Sequence, residues 1–516
     1  MPVVRFMKIL ECKCSVPPLT TPILPLEGQQ AEKTSPKTTI LSEIDYPSKM
    51  RSTGVAPPYT PNRKQRMSIV FRFIWFLAPS PLQDCFWPNK DEKAHPTAWL
   101  DGLRGFAAIF VFWYHLMNPF HPNHLVGYGF DPKNSHFIQL PLLRLIYSGN
   151  EMVYMFFVIS GYVLSTRGIS QICSRTSHTT LVASLSSSIF RRATRLALPP
   201  IASTFLNMVL VHLGVFNHTR SIASNASILP GYREGHLVQR GSFSRQLWDW
   251  AHHVERMTTL YARDAISSRY DPHTWTINVE FHCSMLVFLY LLCFAKTKTW
   301  IRVSFCILLS IYLWRTDAWH ENMFLMGILI AEINQFQGLY TNSNLKIGEG
   351  SRWKNAAHWS FFLLSLFIAS CPEHKPWQTP GYRTLARFVE LRRFWGRFGA
   401  PLIVLSISNS KSVQTLFTNR LAQFLANISF SLYLMHYLTI HTIGYAVIPR
   451  LMEKFGKDTL WGYEGGFVLG SVVVTIVTLW LSDLFWRVVD APSVRFSRWV
   501  ENLCLIDSQK KDKPRK

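Results

Sequence analysis

Arg104 and His115 are the two residues of this 516-residue chain best spaced to do chemistry together. They stand eleven positions apart in an apolar segment, WLDGLRGFAAIFVFWYH, that begins at Trp99. At about 100° per residue, eleven positions make close to three helical turns, so both side chains share one face, roughly 16 Å apart along the axis. A neutral imidazole takes a proton from a hydroxyl near pH 7. A guanidinium holds an anionic substrate or favours a developing oxyanion. Asp101, three residues before Arg104, is within reach of an ion pair with it. Ionisable side chains in a hydrophobic span are costly and face a protein or water-filled interior. Three on one stripe point to a working site. The competing reading makes His115 a helix–helix hydrogen-bond partner and Arg104 a structural partner of Asp101.

Other candidates follow the same logic. Glu280 lies about one turn inside an apolar run opening at Trp275, where a carboxylate needs a partner. His115 or an arginine could supply it. On His115 the carboxylate would fix the tautomer and steady the imidazolium; on an arginine it would be a packing ion pair. Arg191 and Arg195 are four apart and, with Arg192, suit a phosphorylated ligand or a positive anchor beside the membrane. His436 shares a helix face with Ser429, and both read as site residues or as helix–helix hydrogen-bond partners. Ser160-Gly161 reads as a place for close helix approach.

The elements that must position these residues are membrane helices. The chain is 48% hydrophobic and only 16% charged, against about 25% charged in soluble domains. Apolar blocks recur at about 99–117, 146–165, 196–215, 275–295, 300–314, 321–336, 356–371, 397–409, 421–447 and 464–488. The expected fold is an all-α polytopic bundle of about ten transmembrane helices. Residues 1–66 read as a disordered basic cytosolic tail, 67–98 as an interfacial linker and 500–516 as a second basic tail. The net charge of +23 is spread over tails and connections. That pattern anchors a membrane protein and excludes nucleic acid as the expected partner. Nine cysteines form no CxxC pair, and no metal-ligand spacing appears, so no metal is expected. Cys283, Cys293 and Cys306 read as small buried hydrophobes.

Loop charge sets the orientation. Ten spans put the N-terminal tail, the C-terminal tail and a connection carrying Arg167, Arg175, Arg191, Arg192 and Arg195 on one side, cytosolic by the positive-inside rule. The 216–274 connection then faces the lumen or exterior. Its sequons at Asn217 and Asn225 agree. The segment 372–396, with Arg383, Arg387, Arg392 and Arg393, conflicts. Either the flanking spans are misplaced or part of it is re-entrant.

The ordered set LDGLRG…H, FFVISGY, RRATRLALPP, WTINVE and ISFSLYLMH resembles the membrane acyltransferase-3 family of integral-membrane O-acyltransferases. The resemblance runs from about Trp99 to about Trp499. It implies a bundle of about ten helices that moves an acyl group, often acetyl, from coenzyme A to a hydroxyl. By the same resemblance Arg104 and His115 are essential, Arg191, Arg192 and Arg195 are the family's arginine cluster, Trp275 and Glu280 its tryptophan and acid, and His436 its late histidine. WTINVE departs from the commoner WSL-type opening, and Asp490-Ala491-Pro492 matches the usual acidic-proline ending only loosely. The resulting expectation has His115 as general base, Arg104 and Glu280 beside it, and the arginine cluster on the donor. Asp101, Trp275, Ser160 and His436 support them. Acyl-CoA would be the co-substrate, with a hydroxyl-bearing carbohydrate, lipid or small metabolite as acceptor and membrane lipid as surroundings. A proton-coupled transporter or flippase using the same buried ionisable residues is the alternative.

Overall fold

The computed structural model describes residues 75–86, 95–132, 135–259, 268–338, 352–388 and 393–504. The expected tail 1–66, much of the linker 67–98 and residues 505–516 lie outside them. The chain divides into two units, Met1–Ala78 and Pro79–Lys516. Of the first, only 75–78 are described, with 75–77 helical. All that follows concerns the second.

The described residues are helical, with no strand among them. In chain order the helices that matter are α1 Ala98–Met117, α2 Gly149–Cys173, α3 His178–His212, α4 Phe243–Met257, α5 Trp275–Cys293, α6 Thr299–Arg315, α7 Trp319–Phe336, α8 Arg352–Ala369, α9 Phe394–Ser408, α10 Lys411–Thr418, α11 Arg420–Thr439, α12 Tyr445–Phe455, α13 Leu460–Phe485 and α14 Ala491–Cys504. Each apolar block overlaps at least one of them, and 421–447 overlaps both α11 and α12. Among the described residues four segments, Gly149–Cys173, His178–His212, Pro272–Cys293 and Leu460–Cys504, are long and apolar enough to cross a membrane. Leu289, Leu308, Ile311, Leu364, Val472 and Ile476 point outward and are exposed. Such faces suit lipid and would be a liability in water.

Two expectations need correction, and a third segment gains detail. The segment read as a basic connection before the third span is mostly helix: Arg167 lies in α2, and Arg191, Arg192 and Arg195 lie inside the 35-residue α3. Serines and threonines lower helix propensity between 179 and 188, but Leu181 and Leu185, four apart, are buried and hold that stretch in register. Cys283 and Cys306 are buried as expected, whereas Cys293 is exposed. In 372–396 the chain forms a 3₁₀ turn, Pro376–Gln378, and a short helix, Arg383–Phe388, between α8 and α9. There Arg393 pairs with Glu373 at 2.9 Å, so one of the conflicting charges is neutralised locally. Arg392 lies outside the described residues.

Two contacts set the frame. α1 packs along α11, and α2 packs most extensively on α7. At the second, a Cβ on Gly161 would lie 2.1 Å from the Phe324 carbonyl oxygen, so only glycine lets the two backbones approach this closely. Gly161→Ala is therefore expected to destabilise the detergent-solubilised chain by about 1–3 kcal/mol through overpacking. Gly465→Ala, whose added Cβ meets nothing nearer than a Phe455 carbon at 3.9 Å, is the neutral control. Equal thermal midpoints for the two variants would contradict the close approach. α6 and α7 are joined by a buried bidentate pair, Arg302 Nε to Glu332 Oε1 at 2.7 Å and Nη2 to Oε2 at 3.0 Å.

Candidate active site

His115 sits in the last turn of α1, and its neighbours come from three other segments. Its Nδ1 lies 2.6 Å from Glu234 Oε1. Its ring is 4.0 Å from that of His273 and 5.1 Å from that of His436, centroid to centroid. His273 Nε2 lies 3.1 Å from His115 Nδ1 and 3.3 Å from Glu234 Oε1, while its Nδ1 is bonded to Asp271 Oδ1 at 2.9 Å. His436 donates Nδ1–H to the Tyr433 carbonyl at 2.6 Å. Glu234 is almost buried, and Asp271 and His436 are fully buried.

Local structure explains how each side chain arrives. Glu234 stands in the irregular connection between α3 and α4, and its flanks are pinned. Gly231 N–H donates to Pro119 O at 2.8 Å, just past the end of α1. The Tyr437 hydroxyl donates to Gly235 O at 2.6 Å. Asp271 accepts from the His273 backbone N–H at 3.0 Å and so starts the turn that leads into α5. The Tyr433 hydroxyl bonds the His273 carbonyl and Thr276 Oγ1, tying that turn to α11. After α11 the helix widens into a π-turn, Ile440–Gly444. Positions five apart then share a face, which brings His441 toward the same carboxylate, with Nε2 3.8 Å from Glu234 Oε2. His236 completes the row, with Nδ1 3.0 Å from His441 Nδ1.

Burial alone would raise the Glu234 carboxyl, but the His273 and His115 rings hold it well below the usual carboxylate range. It is a fixed negative charge beside the His115 ring. Burial pushes His236, on the same connection, down to about 4, so it is neutral near pH 7.

The arginines gather elsewhere. Arg104 shares the α11-facing side of α1 with His115. Its Nε donates to Ser429 Oγ at 3.0 Å and its Nη2 to Ala426 O at 3.3 Å, and it pairs with Asp101 at 3.3 Å. Arg192 Nη2 lies 2.6 Å from Glu280 Oε1, which also accepts from Ser160 Oγ at 3.2 Å. Arg191 pairs with Glu501 at 3.4 Å. Buried Asp490 feels the charges of both Arg195 and Arg104. Trp275 packs edge-on against Trp319 and His320, not against the histidine cluster.

The structure thus brings His115 together with His436, and Arg104 with Asp101 and Ser429. It does not bring Glu280 to His115: the acid takes the arginine partner, and Glu234 occupies the place beside the ring. The reason is reach, because Glu280 lies seven residues into the helix from His273, about 10 Å along its axis. Sequence reasoning missed Glu234, Asp271, His273 and His441. The Asp271-Pro272-His273 turn, an acid capping a histidine at the mouth of an apolar run, was the one local signal.

An all-helical chain with lipid-suited faces and a buried histidine–carboxylate cluster has the makings of a membrane-embedded group-transfer enzyme. The chain belongs to the acyltransferase-3 family: the family described as an acyltransferase domain matches residues 97–487. With its apolar helices, this makes it an integral membrane protein and an acyltransferase. It is 30% identical over 464 residues to O-acetyltransferase PaAT-1 of Phomopsis amygdali, covering 85% of this chain and 89% of that protein. It is 27% identical over 462 residues to acyltransferase R4 of a Phoma species, covering 81% and 97%. It is 26% identical over 443 residues to acyltransferase clz18 of Cochliobolus lunatus, covering 77% and 94%. No solved structure matches the chain.

Proposed function

We propose that the protein moves an acetyl group from acetyl-CoA to the hydroxyl of a carbohydrate, lipid or small metabolite, with His115 as general base. The observation that carries this reading is the 2.6 Å contact between His115 Nδ1 and Glu234 Oε1. With Nδ1–H given to a carboxylate, Nε2 is the basic nitrogen, and the fixed charge stabilises the imidazolium formed on proton uptake. The acceptor oxygen, losing its proton to Nε2, attacks the thioester carbonyl. The C–S bond breaks, and CoA leaves as the thiolate that recovers the proton. The O-acetyltransferase name of one relative supports acetyl as the group moved.

Arg104, three turns from His115, is too far to touch the reacting carbonyl. We assign it to the donor with Arg191, Arg192 and Arg195, whose guanidinium forks suit phosphate oxygens. Glu280 and Ser160 hold Arg192 in place. The ten-span topology, with both termini cytosolic and the 216–274 connection lumenal, puts the donor arginines on the cytosolic side. The acetyl-bearing end of the donor then extends along α1 toward His115. Asn225 and Ser227 are exposed on that connection, whereas Thr219 of the other sequon is buried and bonded to His441 O.

The test uses the purified full chain, radiolabelled acetyl-CoA and a panel of sugars, lipids and hydroxylated metabolites. Acceptor-dependent release of free CoA with label on the acceptor is the expected result. Solute uptake into vesicles without acetyl-CoA consumption would replace this reading with a transporter.

A further inference from the structure

One ring nitrogen from each of His115, His273 and His436 lies within 4.8 Å of the other two. Two of these rings are already dressed as metal ligands. His273 bonds the Asp271 carboxylate through Nδ1, and His436 gives Nδ1–H to a backbone carbonyl. Such outer contacts orient ligating imidazoles and fix the opposite nitrogen as the lone-pair atom. His436 Nε2 is buried and has no hydrogen-bond partner among the described residues. A buried acceptor without a partner is costly, and the ring that carries it lies 4.3 Å from that of His273 and 5.1 Å from that of His115, centroid to centroid. Glu234 Oε1 adds an anionic oxygen 2.6 Å from His115 Nδ1 and 3.3 Å from His273 Nε2. Ligand bonds of about 2.0–2.1 Å to a tetrahedral zinc ion put neighbouring donor atoms about 3.3 Å apart. His115 Nδ1 and His273 Nε2 stand at 3.1 Å.

We propose that His115, His273 and His436 form a binding site for one divalent transition-metal ion of the zinc class, with the Glu234 carboxylate beside it, and that its occupancy blocks acyl transfer. The second half rests on the reading of His115 as base. When the ion takes the lone pair at His115 Nδ1, the ring's single proton moves to Nε2. That nitrogen then donates and no longer accepts, so the acceptor hydroxyl keeps its proton. Any proton on His273 Nε2 passes to solvent as the ion binds. The histidine and carboxylate donor set suits Zn²⁺ and Co²⁺ better than Mg²⁺ or Ca²⁺.

The probe is Co²⁺, added to full-length protein purified in detergent and stripped with a chelator. The expected result is a visible absorption band of four-coordinate Co²⁺ that saturates at one equivalent and is abolished by Zn²⁺. Asp271→Asn should weaken Co²⁺ binding by about 10–100-fold, as loss of an outer partner does, and His436→Ala by more. His436→Cys keeps a ligand and should retain the ion with a new sulfur-to-cobalt charge-transfer band. That variant separates lost ligation from lost folding. Absence of saturable Co²⁺ binding by folded wild-type protein, or binding unchanged in His436→Ala, overturns the site. Zn²⁺ at one equivalent should also stop label transfer from acetyl-CoA, and a chelator should restore it. Stimulation by Zn²⁺ would overturn the inhibitory assignment and the metal-free base together. Protein that binds one Co²⁺ yet transfers no label even when stripped would overturn the inhibitory half and the acyl-transfer reading, leaving the ligand set standing.

Discussion

His115→Ala is expected to lower acyl transfer by about 10²–10⁴-fold, the usual contribution of a positioned general base. On the proposed mechanism the loss falls on turnover, because there the ring takes the acceptor proton in the transition state while the donor is held three turns away. Glu234→Gln is the companion. It keeps the size of the side chain and removes the charge, so a base steadied by that carboxylate loses much of its advantage while CoA binding persists. The measurement is initial rate against acetyl-CoA concentration for matched amounts of folded protein. Wild-type turnover in His115→Ala would remove the imidazole from the reaction.

The second large effect is on stability. Arg302→Met is expected to cost about 3–5 kcal/mol, because it strands a buried carboxylate. Arg302 and Glu332 are 2% and 1% exposed, and the guanidinium spans both carboxylate oxygens. Replacing both partners, with Arg302→Met and Glu332→Leu, should recover most of the loss, since two apolar side chains need no counter-ion. Thermal unfolding in detergent reads both. A single variant as stable as the double would mean that the freed carboxylate finds water or a proton at no cost. Acyl transfer by the surviving folded fraction should be normal, because the pair lies on α6 and α7, away from the histidine cluster.

How much of this could be read from the chain depends on where each residue sits. Arg104 and His115 were legible because a helix converts spacing into direction, and the apolar run around them fixed the helix. The arginine partner of Glu280 was legible as one of two options, since a buried acid must be met by something cationic. The arginine cluster is legible as a cluster but reads as part of a connection, because the Ser/Thr-rich stretch before it carries a weak helical signal. Only tertiary packing of Leu181 and Leu185 makes it helix. Glu234 was not legible at all. It lies in an aperiodic segment, 119 positions from His115, and is placed by backbone anchors at Gly231 and Gly235 that leave no trace in composition. The three-histidine set was invisible for the same reason: metal motifs are recognised by short spacing, and these ligands come from α1, from the turn before α5 and from α11.

The pinned segment around Glu234 has a consequence for how such enzymes diversify. On the proposed mechanism, the residue that sets the strength of the proton acceptor is carried by the connection between α3 and α4, not by the bundle. A lineage that remodels this connection to welcome a bulkier alcohol also shifts the counter-charge, and with it reactivity. New acceptors should therefore arise by changes that spare the Gly231–His236 stretch, or else arrive with slower chemistry that later substitutions must repair.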